Sequence, residues 1–486
     1  MTEPEQQRPT ARRAAVASAR AAAAKVGIGI AVLAIALAVF APLPHLSVSP
    51  PAVTVSPVAT PQQLVCPGAV LQLGDAQGQG ASTATAIAPT AIATGAIGAT
   101  GATAGTAKAT PFGTDQGSPT LVTSGGVDPS TIVAAAQSQA VSTTTVSGLA
   151  AATCAAVSTD TWLVGGSTVT GRTTLVTLAN PSDVAATVAL SIFDEKGAVA
   201  APGATGIEVA PGTQRVVSLA GFAPDAAAPV VHVTSSGGHI VANLQQSVVR
   251  GLEPGGLDIV AATTGPALSL TIPGLVEATP DDVESRIAKS DDDADLATIV
   301  RLYLPGAAPA TATISIAPEG SAKGQSFDQP LNPGVVTDVP IQGLTTGTYT
   351  VTVTSTAPVV GAVRAAAVST PDSGANSSDF AWFASPTPVK SATAFSVPAG
   401  PGPTLHLANP SAAELVATVT AGDGSPQRIT VPAKASVSVP VTSGATYGLV
   451  AAAPVSATIS FASTAQLASV TVDPRLADAE PIVVYP

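Results

Sequence analysis

Hydrophobic and polar residues alternate along most of this chain at period two, and Pro, Gly and Asn interrupt the alternation at regular intervals. A period of two puts successive side chains on opposite faces of a strand, whereas a helix needs apolar residues three and four apart. Leu178 to Leu190, Leu-Ala-Asn-Pro-Ser-Asp-Val-Ala-Ala-Thr-Val-Ala-Leu, shows the unit: an extended run, a turn at Asn180-Pro181 and a second extended run. Pro fixes φ and Asn accepts the turn, so the first strand ends there. The outline returns at Leu407 to Thr420, with Asn409-Pro410, and at Leu302 to Ile316, with Leu304-Pro305-Gly306. A module has been copied.

The copies agree beyond the turn. Their first strands begin Trp162-Leu-Val-Gly-Gly, Leu270-Thr-Ile-Pro-Gly and Phe395-Ser-Val-Pro-Ala-Gly. A strand, a Pro turn and a strand follow at Glu208 to Leu219, Leu331 to Ile341 and Thr430 to Val441. Each copy then has a long hairpin, at Val230 to Val249, Tyr349 to Val368 and Tyr447 to Ser463, and one last apolar run, at Leu257 to Ala262, Asp379 to Ala384 and Leu467 to Val472. Seven or eight strands per roughly 100 residues is the pattern of an immunoglobulin- or fibronectin-like sandwich. The expected fold is all-β, with tandem sandwiches at residues 161–264, 265–388 and 389–486. A single propeller or solenoid is the alternative, ranked lower because each copy is about twice a propeller blade. Tyr349 and Tyr447 follow a Gly turn at the head of the hairpin, the place of a tyrosine corner, and Trp162 and Trp382 are expected to fill cores.

Ahead of the repeats the pattern changes. Residues 1–25 are basic and residues 26–41 carry no charge. Sixteen helical residues reach about 24 Å, short of the ~30 Å hydrocarbon layer, and Ala21 to Lys25 close the gap. The run predicts an uncleaved single-pass anchor embedded in the bilayer, with the N-terminus cytoplasmic and the bulk of the chain extracytoplasmic. A cleaved signal peptide is the alternative, disfavoured by Pro42 directly after the run. Residues 42–160 read as a Pro-rich spacer and an Ala/Thr/Gly-rich juxtamembrane region with partial β structure; between residues 74 and 107 the favoured reading is disorder or weak order, and the alternative is thin strands from the Ala-Ile-Ala and Ala-Thr alternations.

Charge narrows the partners. Five of the 19 basic and two of the 31 acidic residues precede the apolar run, which leaves 14 basic against 29 acidic residues downstream. Such a surface repels phosphate backbones and excludes nucleic acid as a partner. Cys66 and Cys154 are the only two cysteines. An even pair outside the membrane predicts one disulfide, closing a loop worth on the order of 4 kcal/mol in the chain-entropy account.

Chemistry is scarce. The histidines are His45, His232, His239 and His406, and no zinc-protease, nucleophile-elbow or phosphate-loop motif accompanies them. A Ser-His-Asp set assembled around His232 or His239 with Ser235 or Ser236 is the weakest candidate, and no catalytic residue or cofactor is expected. The acidic insert 277–295 offers alternate carboxylates at Asp291, Asp293 and Asp295, the oxygen type that Ca²⁺ accepts, but without the Gly and closing Glu of a helix-loop-helix site. A solvated loop is the favoured reading.

The basic start, the single span, Cys66-Pro67-Gly68, Trp162-Leu-Val-Gly-Gly and the Asn-Pro-Ser turns resemble a domain-of-unknown-function family of actinobacterial envelope proteins. The resemblance implies an extracytoplasmic β protein tethered by one N-terminal helix, in the setting of envelope glycosyltransferases, and carries no catalytic residue across. The expected function is a non-enzymatic envelope scaffold or adhesion-type protein contacting cell-wall polymer or a membrane protein. A glycan- or peptide-binding accessory subunit of an envelope glycosyltransferase or transporter is the alternative.

Overall fold

The computed structural model describes residues 23–27, 29–33, 53–55, 62–73, 84–98, 103–105, 107–111, 117–124, 131–370, 377–474 and 482–484. The chain divides into two compact units, Val58–Asp478 and a small one made of Met1–Pro57 with Ala479–Pro486. In the small unit, residues 23–27 and 29–33 are helical and exposed, and Val53–Val55 pairs antiparallel with Ile482–Val484. No helix among the described residues is long and apolar enough to cross a membrane. Residues 28 and 34–41 of the expected anchor lie outside the described residues.

The large unit is built from β modules of two facing sheets. The module after Cys154 has its main strands at Asp160–Val164, Arg172–Asn180, Ala186–Asp194, Ile207–Val209, Thr213–Ser218, Val230–Gly237, Val241–Arg250 and Glu253–Val260. In one sheet the first strand pairs with the sixth, the sixth with the third and the third with the fourth; in the other the order is fifth, second, seventh, eighth. Inward residues of both sheets, Leu163, Val231, Val188, Val176 and Leu244 among them, share one core. The module from Ala267 repeats the order, its sixth and seventh strands joined into the 23-residue strand Gly347–Ser369 that leaves one sheet and enters the other. The module from Thr393 repeats it again.

This wiring departs from the expected one. An immunoglobulin domain pairs its first strand with its second and its seventh with its sixth. Here those two strands have exchanged sheets, because the connection from sixth to seventh strand carries the chain across the sandwich; only the second–fifth and third–sixth pairings are shared.

A further module precedes these three. Gln63–Cys66, Ala91–Ile97, Ala107–Pro111, Thr120–Ser124, Ile132–Ser142 and Ser147–Thr153 pair as the first, second, third, sixth, seventh and eighth strands do elsewhere. The weak order expected between 74 and 107 is therefore corrected over its described part, which holds the strands Ala84–Ala86, Ala91–Ile97 and Thr103–Gly105. Little apolar surface is needed there, since the ladder satisfies the backbone and small side chains let the sheets approach. The core between its sheets is Cys66, Ala96, Val122, Val133, Ala135 and Cys154.

The modules do not stand in a row as independent sandwiches. Their closing strands, β1 (Ser147–Thr153), β2 (Glu253–Val260), β3 (Ser377–Ala384) and β4 (Leu467–Thr471), meet at one axis. β1 packs against β2 and β4, and β3 packs against β2 and β4, so the four modules close a ring. Cores cross the module borders: Leu149 and Ala151 of β1 pack with Phe395 and Leu405, and Leu467 of β4 packs with Leu270 and Phe383. The ring is not a propeller, because each repeat is a pair of sheets rather than one blade.

Candidate functional site

Of the polar assemblies in the ring, one is sealed at the axis and one lies open between the second and third modules. At the axis, β3 contributes Asp379, which is fully buried. Its Oδ2 accepts the amides of Leu149 at 2.8 Å and Leu467 at 3.1 Å, and its Oδ1 accepts that of Leu257 at 3.2 Å. One amide from each of the other three closing strands thus meets a single side chain of β3. Gly148 and Gly256 make the room: a Cβ on Gly256, at φ +111°, would fall 2.7 Å from Phe380, and one on Gly148 would collide with Asp379 itself. Burial pushes the Asp379 carboxyl well above the ordinary range, while the amide donors favour its anion. Beside it on β2, Asp258 accepts the Trp382 amide at 2.7 Å, and burial pushes its pKa up to about 8.

The turns, rings and cysteines expected to hold the fold are placed as follows. Asn180 Oδ1 accepts the Ser182 amide at 3.0 Å, and its Nδ2 donates to Val184 and Val209 carbonyls; Asn409 does the same with Ser411, Ala413 and Val431. Pro181 and Pro410 occupy the next position in each turn. Tyr349 Oη donates to the Thr345 carbonyl at 2.9 Å, and Tyr447 Oη accepts the Thr442 amide at 3.0 Å. Trp162 and Trp382 are buried. Cys66 and Cys154 form a disulfide across 88 residues of chain.

No serine set forms around His232. Its ring stacks on Trp162, ring centroids 4.0 Å apart, and its Nε2 is 3.0 Å from Asp160. A Ser-His-carboxylate chain occurs instead at His406, whose Nδ1 is 2.8 Å from Glu319 and Nε2 2.8 Å from Ser460 Oγ. No sequence motif marks it, because Glu319 belongs to the third module and the other two to the fourth. The geometry is that of an activated nucleophile, but His406 and Ser460 are 1% and 3% exposed, and Gly274 of the third module lies against the imidazole. The chain is closed to substrate and fastens two modules.

The acidic insert is not the solvated loop expected. Residues Pro280–Ile287 form helix α1, and Asp291–Leu296 form a 3₁₀ turn capped by Ser290. Asp293 meets Arg250 at 3.3 Å and Arg286 at 3.2 Å, and Asp295 meets Arg172 at 3.0 Å and Arg250 at 2.6 Å. Asp291 stays exposed. The Ca²⁺ candidate therefore does not assemble: guanidinium groups hold two of its carboxylates, and no cluster of metal-ligating residues occurs among the described residues. Burial opposes the Asp295 anion, yet the Arg172 bond and the Arg250 and Arg364 charges bring its pKa down to about 2.

The Arg172–Asp295 pair walls an open cleft of 560 Å³ between the second and third modules. Arg301, the largest fully buried side chain, binds both Asp338 oxygens at 2.8 Å and the carbonyls of Gly166, Pro229 and Ala227, with its guanidinium 4.6 Å from the Trp382 ring. Arg364 stands beside it, 5.6 Å from the same ring. A second cleft, of 480 Å³, is lined by Val283 and Ile287 of α1, Ile341 and the buried Glu277. Burial pushes the Glu277 carboxyl up to about 7 against a 2.6 Å bond from Thr298. None of these arginines carries a signal in the sequence, because the carboxylates around each come from distant parts of the chain.

Comparison with known proteins bears on the whole ring. No curated protein and no solved structure matches the chain. Residues 113–442, from the first module into the fourth, match the family of unknown function DUF5719, and the chain belongs to that family.

Proposed function

We propose that this chain is a non-enzymatic scaffold of the cell envelope, held in the bilayer through residues 26–41 with its N-terminus cytoplasmic and its ring of modules outside. On this reading each module is a variant of the immunoglobulin-like sandwich with its first and seventh strands exchanged. The observation that carries the proposal is the use made of polar groups. Asp379, the Glu319-His406-Ser460 chain and the Arg250-Asp293-Asp295 pairs all join one module to another, which builds a rigid platform rather than a reaction centre. The Cys66–Cys154 disulfide supports a location in an oxidising compartment. The partner is cell-wall polymer or another membrane protein, met through outer edges and loops.

A second reading, an accessory subunit of an envelope glycosyltransferase or transporter that binds a glycan or peptide, draws on the arginine cleft. Detergent extraction of the full-length chain tests both. Recovery with wall polymer alone supports the scaffold, and stoichiometric recovery of a membrane enzyme supports the accessory role. Recovery of the chain in the cytosolic fraction with both cysteines reduced would remove the two readings together.

A further inference from the structure

The cleft between the second and third modules contains one cation whose hydrogen bonding is incomplete. Arg301 is committed to Asp338 and three carbonyls, and Arg172 and Arg250 share Asp295. Arg364, on the strand Gly347–Ser369, is 6% exposed and lines the cleft, and its Nε has no hydrogen-bond partner among the described residues. A buried guanidinium short of an acceptor is costly, and the faces of aromatic rings compensate only in part. The side chain therefore offers donors in a fixed fork to an incoming carboxylate.

The sign of charge inverts toward solvent. The most buried charged lining groups are Arg301, paired with Asp338, and Arg364, with the Arg172–Asp295 pair beside them, whereas Asp225, Asp291 and Asp292 are exposed carboxylates of the same cleft. A simple anion must pass that acidic mouth, and a simple cation meets the guanidinium floor. One molecule answers both: an acid at one end and an amine at the other. We infer that this cleft binds a small zwitterion, an α-amino acid or a short peptide, its carboxylate on Arg364 and its ammonium among Asp225, Asp291 and Asp292. The volume of 560 Å³ lies within the range of small-ligand sites.

Calorimetric titration of the detergent-extracted full-length chain with alanine, dialanine, acetate and ethylamine tests the assignment. One of the two zwitterions is expected to bind at least about tenfold more tightly than acetate or ethylamine, since each lost charge contact near 1.4 kcal/mol is a factor of ten; which of them wins gives the spacing of the two charges. Arg364→Gln is expected to lower that affinity by at least the same factor. Because Arg364 is buried, the exposed pair Asp291→Asn with Asp292→Asn serves as a second variant, expected to weaken the zwitterion and leave acetate unchanged. Acetate binding as tightly as either zwitterion, unchanged affinity in the rim variant, or no heat with any of the four probes would overturn the inference. None of these results depends on which partners co-purify, so the scaffold proposal stands or falls separately.

Discussion

One carboxylate at the axis decides whether four segments of chain, separated by about a hundred residues each in the sandwich register, share a common centre. Asp379 supplies acceptors to amides of Leu149, Leu257 and Leu467 that lie in edge strands with no further strand to pair. Asp379→Ala leaves those donors buried and unpaired at about 1–3 kcal/mol each, so urea unfolding of this variant is expected to show a loss of more than about 3 kcal/mol. Asp258 and Glu277 give a second test at this scale. Their folded pKa values, about 8 and about 7, lie above the ordinary values of 3.8 and 4.5. The folded state therefore holds protons that the unfolded chain has released, and the stability these groups contribute is complete below about pH 4 and lost as pH rises through 7 and 8. Asp295, brought down to about 2, acts in the opposite sense only in stronger acid. Thermal melts are expected to fall from pH 5 to pH 8, and Asp258→Asn is expected to flatten that fall; an unchanged slope in the variant would remove Asp258 as its source.

At the scale of elements, turns and strands are largely legible in the order of residues alone. The Asn-Pro-Ser turn is closed by its own residues, Asn180 with Ser182 and Asn409 with Ser411, so its shape is legible locally, while the bonds from Asn180 to Val209 and from Asn409 to Val431 are not. The last apolar run of each copy is equally visible, at Leu257, Asp379 and Leu467. What these runs pack against is not, because a strand's pattern reports that one face is buried and never by which neighbour. The first module is hard to read for another reason: Ala91 to Ile97 and Ile132 to Ser142 are so rich in Ala, Thr and Ser that hydrophobic contrast between faces is slight. Its disulfide offsets that thin core. Reduction of Cys66–Cys154 is expected to lower stability by on the order of 4 kcal/mol, read as a drop in denaturant midpoint with and without reductant. Loss of the first module's protection in hydrogen exchange, ahead of the other three, would localise the effect.

For the molecule as a whole, ring closure makes the modules dependent on one another. Removing the fourth module, by ending the chain after residue 388, uncovers Ala136, Leu149 and Ala151 on the first and Leu270 on the third. The truncated chain is expected to bind an apolar dye and to self-associate on gel filtration; a monomeric, cooperatively folding truncation would show that the modules are independent after all. Sequence by itself determined the β class, the copying of a module, the turns, the disulfide pair and the acidic balance, because each rests on local conformational preference or on composition. Tertiary structure alone decided the exchange of strands between sheets, the first module, the convergence of amides on Asp379 and the arginine cleft. Those features join residues far apart in the chain, and the free energy that selects them comes from burial and charge pairing that exist only once distant strands have met.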